Sequence, residues 1–251
     1  MANTNTQPEI IIEINNLKNY LGGQWVHNGI DLTIHRKEII AVVGGSGSGK
    51  TTFLRSILTL LRPTSGSIKV FGTDIVSAEQ EEINLVRQRW GVLFQRSALF
   101  SSMTVLENVL YPIREFTSHL PEEFLNQIGL LKISLVGLPL SAAYKYPSEL
   151  SGGMQKRAAA ARAIALDPEL LFFDEPTSGL DPASSRELDQ LIVNLRDMLG
   201  LTIVVVTHDP ESLKITDRVA FLGQGKLLDY AHVDQLRQNK NPAIQEYFNG
   251  K

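Results

Sequence analysis

Residues 44–51, GGSGSGKT, set Gly44, Gly49, Lys50 and Thr51 in the spacing G-x-x-x-x-G-K-T. Those types occur together where main-chain N–H groups wrap around phosphate oxygens, a lysine neutralises the β and γ phosphates, and a hydroxyl ligates Mg2+. The candidate cradle is the run Gly44, Gly45, Ser46, Gly47, Ser48, Gly49, Lys50, Thr51 and Thr52. A plain glycine turn has no use for a lysine at the helix start. A metal-bound triphosphate also needs a carboxylate at a strand end, and LLFFDEP supplies Asp174 for the metal shell with Glu175 beside it. Alternation along a strand sends the Glu175 side chain the other way, where it can accept a proton from an attacking water. His208, after VVVT, can donate to a γ-phosphate oxygen and position that water. Gln95, after WGVLF, reads equally as a neutral ligand to metal or water and as a solvated polar residue.

A second glycine-opened helix start follows at residues 148–163, SELSGGMQKRAAAARA. Ser151 is a good N-cap, Gly152 and Gly153 allow close backbone approach, and Lys156 and Arg157 follow within the first turns, in the manner of a second phosphate clamp. Taken alone, such a start is more often only a cap.

The elements that must hold these residues alternate along the chain. Short, continuously apolar runs at 38–44, 90–95, 170–175 and 202–208 read as parallel strands covered on both faces. Runs at 10–14, 30–34 and 66–72 alternate instead, and predict a mostly antiparallel layer beside the parallel sheet. The helical patterns VLENVLYPIREF, EEFLNQIGLL and GGMQKRAAAARAIAL predict an inserted helical lobe over about 101–166, between core segments at about 1–100 and 167–251 of one domain. The tail from Val233 reads as a helix packed on the core or frayed. The fold class is α/β.

Composition narrows the function. With 24 basic and 27 acidic residues the chain carries −3, without the basic excess that holds nucleic acid, so no nucleic-acid partner is expected. The absence of cysteine removes disulfides, thiolate metal sites and a cysteine nucleophile. The amino terminus lacks the charged and apolar regions of a leader, and no run approaches the ~18 apolar residues of a spanning helix. The expected location is cytosolic, with any membrane-spanning part supplied by another subunit.

Taken together, GGSGSGKT, Gln95, LSGGMQ, LLFFDEP, SGLDP at 178–182 and His208 resemble the nucleotide-binding subunit of ABC transporters over nearly the whole chain. The resemblance implies a P-loop NTPase core with an antiparallel β layer and a helical subdomain. It also implies an ATPase using ATP and Mg2+, and a head-to-tail pair of copies in which Ser151, Gly152 and Gly153 of one contact the γ-phosphate held by the other. Asp181 and Ser178 would lie in the loop linking the two sites, and Asp181 also reads as the N-cap before Pro182. An aromatic near the amino terminus stacks on adenine in this family; Tyr20 is the match and Trp25 the rival. The implied partner is an integral-membrane permease at the cytoplasmic face of the inner or plasma membrane. Residues 94–117 and 146–176 look most like ATPases of MCE-type lipid transporters, such as the phospholipid-trafficking Mla system, with an MCE-type lipid-binding protein as a further partner. TSGLDP is the common family form and does not favour that subgroup.

Overall fold

A computed structural model describes residues 9–117 and 120–249; the expectation about a leader falls largely on residues 1–8, outside the described residues. The chain forms two compact units, one made of the segments up to Val86 and from Thr216 onward, the other of Arg87–Ile215.

In the first unit, β1 (Ile10–Leu21) and β2 (Gln24–His35) form an antiparallel hairpin around Gly22 and Gly23, both at positive φ. The sequence predicts strands only at 10–14 and 30–34, because the continuations hold polar Asn19 and His27. Both are buried and hydrogen-bond each other, so the interior tolerates them. The fully buried β3 (Ile39–Val43) leads through the glycine loop into α1 (Lys50–Ile57). Next come β4 (Ser65–Val70), β5 (Thr73–Asp74) and α2 (Gln80–Arg87). The antiparallel sheet runs β2-β1-β4-β5.

The second unit holds β6 (Trp90–Leu93), the helices α3 (Val105–Phe116), α4 (Glu122–Leu135) and α5 (Gly152–Ala163), then β7 (Leu170–Asp174), α6 (Pro182–Leu199) and β8 (Thr202–Val206). Strands β8, β7 and β6 lie side by side and parallel. Their carboxyl ends therefore share one edge, where open α/β sheets present ligand-binding residues. Helix α3 packs against α4 and α5. Buried Ala158, Ala159, Ala160 and Ala161 give α5 a slim profile, and a side chain at Gly91 of β6 would strike the Ala163 carbonyl.

Back in the first unit, β9 (Arg218–Gly223) pairs parallel with β3, and β10 (Lys226–Ala231) pairs antiparallel with β9. These two strands were not anticipated from the sequence. The described part of the tail is two short helices, α7 (Val233–Arg237) and α8 (Pro242–Asn249), anchored by buried Leu236 and Ile244.

Candidate functional site

In the first unit, Gly49 caps α1 at φ 92, a conformation that favours glycine, and a Cβ there would lie 2.4 Å from His27 Nε2. No acid occupies the first turn of α1, so its positive dipole end is left for an external anion. Lys50 Nζ donates to the carbonyls of Gly44 at 2.8 Å and Gly45 at 3.2 Å, spanning its own loop. Around Gly45 and Gly47 there is open space, and the Ser48 hydroxyl is buried without a hydrogen-bond partner. Thr51 is exposed and Thr52 half-buried at the start of α1. A cleft of about 380 Å3 adjoins the loop, with Ser46 and Ser48 on one side and Gln224, Glu246 and Tyr247 on the other. The loop, lysine and helix start fit a polyphosphate.

Beneath the loop lies a polar support. Asn19 Nδ2 donates to His27 Nδ1 at 2.9 Å and to Ser56 Oγ at 3.2 Å, and Ser56 Oγ donates to the Thr52 carbonyl at 3.0 Å. The first bond leaves the ring proton on Nε2, facing Gly49. Burial pushes the His27 pKa down to about 4, against a smaller upward effect from the Gly49 backbone, so the ring is neutral near pH 7. Tyr20 and Trp25 are cross-strand partners at the hairpin tip, both about half exposed, with ring centroids 5.0 Å apart. The hairpin thus brings both adenine-stacking candidates together.

In the second unit, Asp174 ends β7 opposite Val206 of β8. Glu175 lies past the strand at φ 48, with its N–H donating to the Val206 carbonyl at 2.8 Å. Its direction is therefore set by a left-handed turn rather than by strand alternation, which corrects the reasoning from the sequence. Its Oε2 lies 2.7 Å from His208 Nδ1, with the imidazole largely exposed. Gln95, two residues beyond β6, reaches Ser178 Oγ with its Nε2 at 3.5 Å. Gln95, Asp174, Glu175 and His208 thus gather at one sheet edge.

Ser151 caps α5 by accepting from Met154 N–H at 3.3 Å, and Asp181 caps α6 by accepting from Ala183 and Ser184 N–H at 2.9 and 3.0 Å. Gly152 and Gly153 are helical, and a Cβ at either would meet only ordinary contacts at 3.4 and 3.6 Å. Nothing in the unit itself demands glycine there, and glycine is a poorer helix former than alanine. Lys156 and Arg157 do not extend this helix start as the sequence suggested. Lys156 is buried, and Arg157 turns to the Val136 carbonyl and Glu187.

With this geometry in view, the family model for ABC transporters matches residues 27–178. The chain belongs to this family. It is an ABC transporter ATP-binding subunit, with the ABC ATPase fold and an activity that couples ATP hydrolysis to transport. The intermembrane phospholipid transport system ATP-binding protein MlaF of Haemophilus influenzae is 42% identical over 96% of this chain and 91% of its own. The probable ribonucleotide transport ATP-binding protein mkl of Mycobacterium tuberculosis is 38% identical over 96% of this chain and 67% of its own. Among solved structures, a dimeric ATP-binding cassette in a post-hydrolysis state with ADP and Pi superposes with a TM-score of 0.81. It is 29% identical and covers 89% of this chain and 99% of the cassette.

Several residues of this ABC ATPase escaped the sequence reading. Asn108, fully buried on α3, accepts from Phe100 N–H at 2.8 Å and donates to the carbonyls of Phe100, Met103 and Thr104. It shapes the loop that follows Gln95; a polar residue on the apolar face of a helix was the available signal. Phe100, Tyr111, Phe116, Trp90, Arg87 and Arg162 line an open apolar cleft of about 370 Å3 in the same unit. No described helix is long and apolar enough to cross a membrane.

Proposed function

We propose that this ABC ATPase powers a phospholipid-transporting permease at the cytoplasmic face of a membrane. Identity of 42% along 96% of the chain to a protein named for intermembrane phospholipid transport carries this reading. Two copies pair head to tail around ATP. Main-chain groups of residues 44–49 and Lys50 bind the phosphates, Tyr20 or Trp25 stacks on adenine, and Glu175 takes the proton of the attacking water. His208 holds the Glu175 carboxylate and, with ATP bound, donates to the γ-phosphate. Ser151, Gly152 and Gly153 of the partner copy close over the same phosphate, which gives a reason for two glycines that the helix itself does not need. Asp181 and Ser178 join the two sites.

Thr51, Asp174 and Gln95 would hold Mg2+, which would supply charge neutralisation of the phosphate oxygens. Among the described residues no group of three His, Asp or Glu side chains is placed to hold a metal ion by itself. The cleft at Phe100, Tyr111 and Arg162 is the docking place for the permease.

The mkl relatives, named for ribonucleotide transport, favour a second reading with another solute as cargo. Purification in detergent with the bound membrane protein, then reconstitution, tests both. Under the first reading, labelled phospholipid moves between leaflets or to an acceptor only with ATP. ATP-dependent movement of ribonucleotide with none of phospholipid would replace it by the second, and recovery only with a soluble scaffold would remove both.

A further inference from the structure

Lys156, the fifth residue of α5 after its Ser151 cap, is only 5% exposed. Its Nζ donates to the main-chain carbonyl of Gln95 and, at 3.4 Å, to that of Glu175. The Glu175 carbonyl also accepts from Ser178 N–H at 3.2 Å, and Gln95 Nε2 reaches Ser178 Oγ at 3.5 Å. These contacts close a ring through Lys156, Gln95, Ser178 and Glu175. Farther along α5, Arg162 donates to the carbonyls of Ser97 at 3.0 Å and Ala98 at 2.8 Å. Ser97, Ala98 and Glu175 all have positive φ, a backbone state that side-chain-bearing residues adopt only when their surroundings hold them there.

Packing does not account for a cation at position 156. An apolar side chain of similar volume fills a buried space at less cost than an ammonium, which must be stripped of water. Burial pushes the Lys156 ammonium toward neutrality, while the carboxylates of Asp174 and Glu175 favour its charge. What the ammonium does, and a methionine cannot, is donate to two separate loops at once.

We propose that Lys156 is a positioning residue for hydrolysis: its ammonium fixes the carbonyls of Gln95 and Glu175 to α5, so that the helix opened by Ser151 and the Glu175 carboxylate move as one body. The proposal rests on the assignment of Glu175 as the base. It implies that when a second copy engages the start of α5, the carboxylate at the other end of this ring is brought into line.

Steady-state ATP hydrolysis by the full chain tests it with three single variants. Lys156→Met preserves length and removes the donors, while Lys156→Gln keeps N–H donors without charge. The expected result is a kcat about tenfold lower for Lys156→Met, an intermediate kcat for Lys156→Gln, and a KM for ATP within about twofold of the parent in both. The melting temperature of Lys156→Met should fall by no more than about 2–6 °C, the cost of leaving a carbonyl without its donor. A parental kcat in Lys156→Met overturns the proposal. So does a fall in activity that tracks a lowered melting temperature in both Lys156 variants, since that is the mark of a merely structural role. Glu175→Gln, measured alongside, separates the two assignments. A slow Glu175→Gln beside a parental Lys156→Met overturns the Lys156 proposal alone, whereas parental turnover in Glu175→Gln overturns the base and, with it, the route proposed for Lys156.

Discussion

Glu175 is a carboxylate 2.7 Å from a histidine ring nitrogen and bound to its own backbone partner across the sheet edge. Glu175→Gln keeps the shape and the contact to His208 but cannot take a proton. Turnover should fall about 10²- to 10⁴-fold while ATP still binds, measured as single-turnover hydrolysis beside nucleotide affinity. Parental turnover would remove Glu175 as the base. His27 gives a residue-scale prediction of a different kind. Its folded pKa of about 4 lies below the unfolded value of about 6.5, so the unfolded chain binds the proton more readily between those limits. The His27 contribution to stability is therefore complete above pH ~6.5 and is lost as pH falls toward 4. Asp189 acts in the opposite sense. Burial raises its carboxyl to about 6, the Ser212 hydroxyl lowers it in part, and the Asp209 charge raises it further. Its contribution is complete below the unfolded value near 4 and is lost as pH rises through about 6. Denaturant midpoints at pH 4.5 and 7 should differ less in His27→Phe than in the parent. An unchanged difference would mean that the buried ring does not titrate as described.

At the scale of elements, α3 shows how a helix end can shape a functional loop. Thr104 and Glu107 form a reciprocal cap: Thr104 Oγ1 accepts from Glu107 N–H at 3.3 Å, and Glu107 Oε2 accepts from Thr104 N–H at 2.7 Å. Asn108, one residue on, ties the preceding loop at Phe100 and Met103 to the same turn. Thr104→Ala should cost about 1 kcal/mol of stability, a fall in melting temperature of about 2–4 °C for a chain of this size. Calorimetry checks it, and an unchanged melting temperature would show the cap to be idle. The cap is readable in the sequence as T-x-x-E before an apolar run. The buried bonds of Asn108 are not, because they join residues whose loop conformation the sequence leaves open. The long hairpin β1–β2 is a similar case: Asn19 and His27 look like loop residues until they are seen to be buried together and hydrogen-bonded through His27 Nδ1.

At the scale of the whole molecule, the proposed function requires something outside one chain. Lys50 and the loop it spans lie in one compact unit, and the helix start at Ser151, Gly152 and Gly153 lies in the other. The two glycines are required neither by backbone conformation nor by a neighbouring atom in their own unit. Ser151→Arg places a bulky cation at that start. ATP affinity should stay near the parental value while ATP-dependent dimerisation disappears, followed by light scattering in the Glu175→Gln background, where hydrolysis is slowed. A dimer that still forms would remove the head-to-tail closure. Because Ser151 also caps α5, the melting temperature of the variant separates a loss of about 1 kcal/mol at the cap from a loss of assembly.

The sequence by itself determined the glycine loop before a helix, the apolar strands it predicts at 38–44, 90–95, 170–175 and 202–208, the helical segments of the lobe and the family to which they belong. These features are local: a fixed spacing of glycine and lysine, or a run of apolar residues, has the same physical meaning wherever the chain carries it. Only the tertiary structure decided that His208 meets Glu175, that Asn19, His27 and Ser56 stand under the glycine loop, and that Lys156 turns inward to two carbonyls. Such contacts join residues from 8 to 61 positions apart. A buried polar group takes its partner from whatever the fold brings within about 3 Å, and no spacing along the chain encodes that choice.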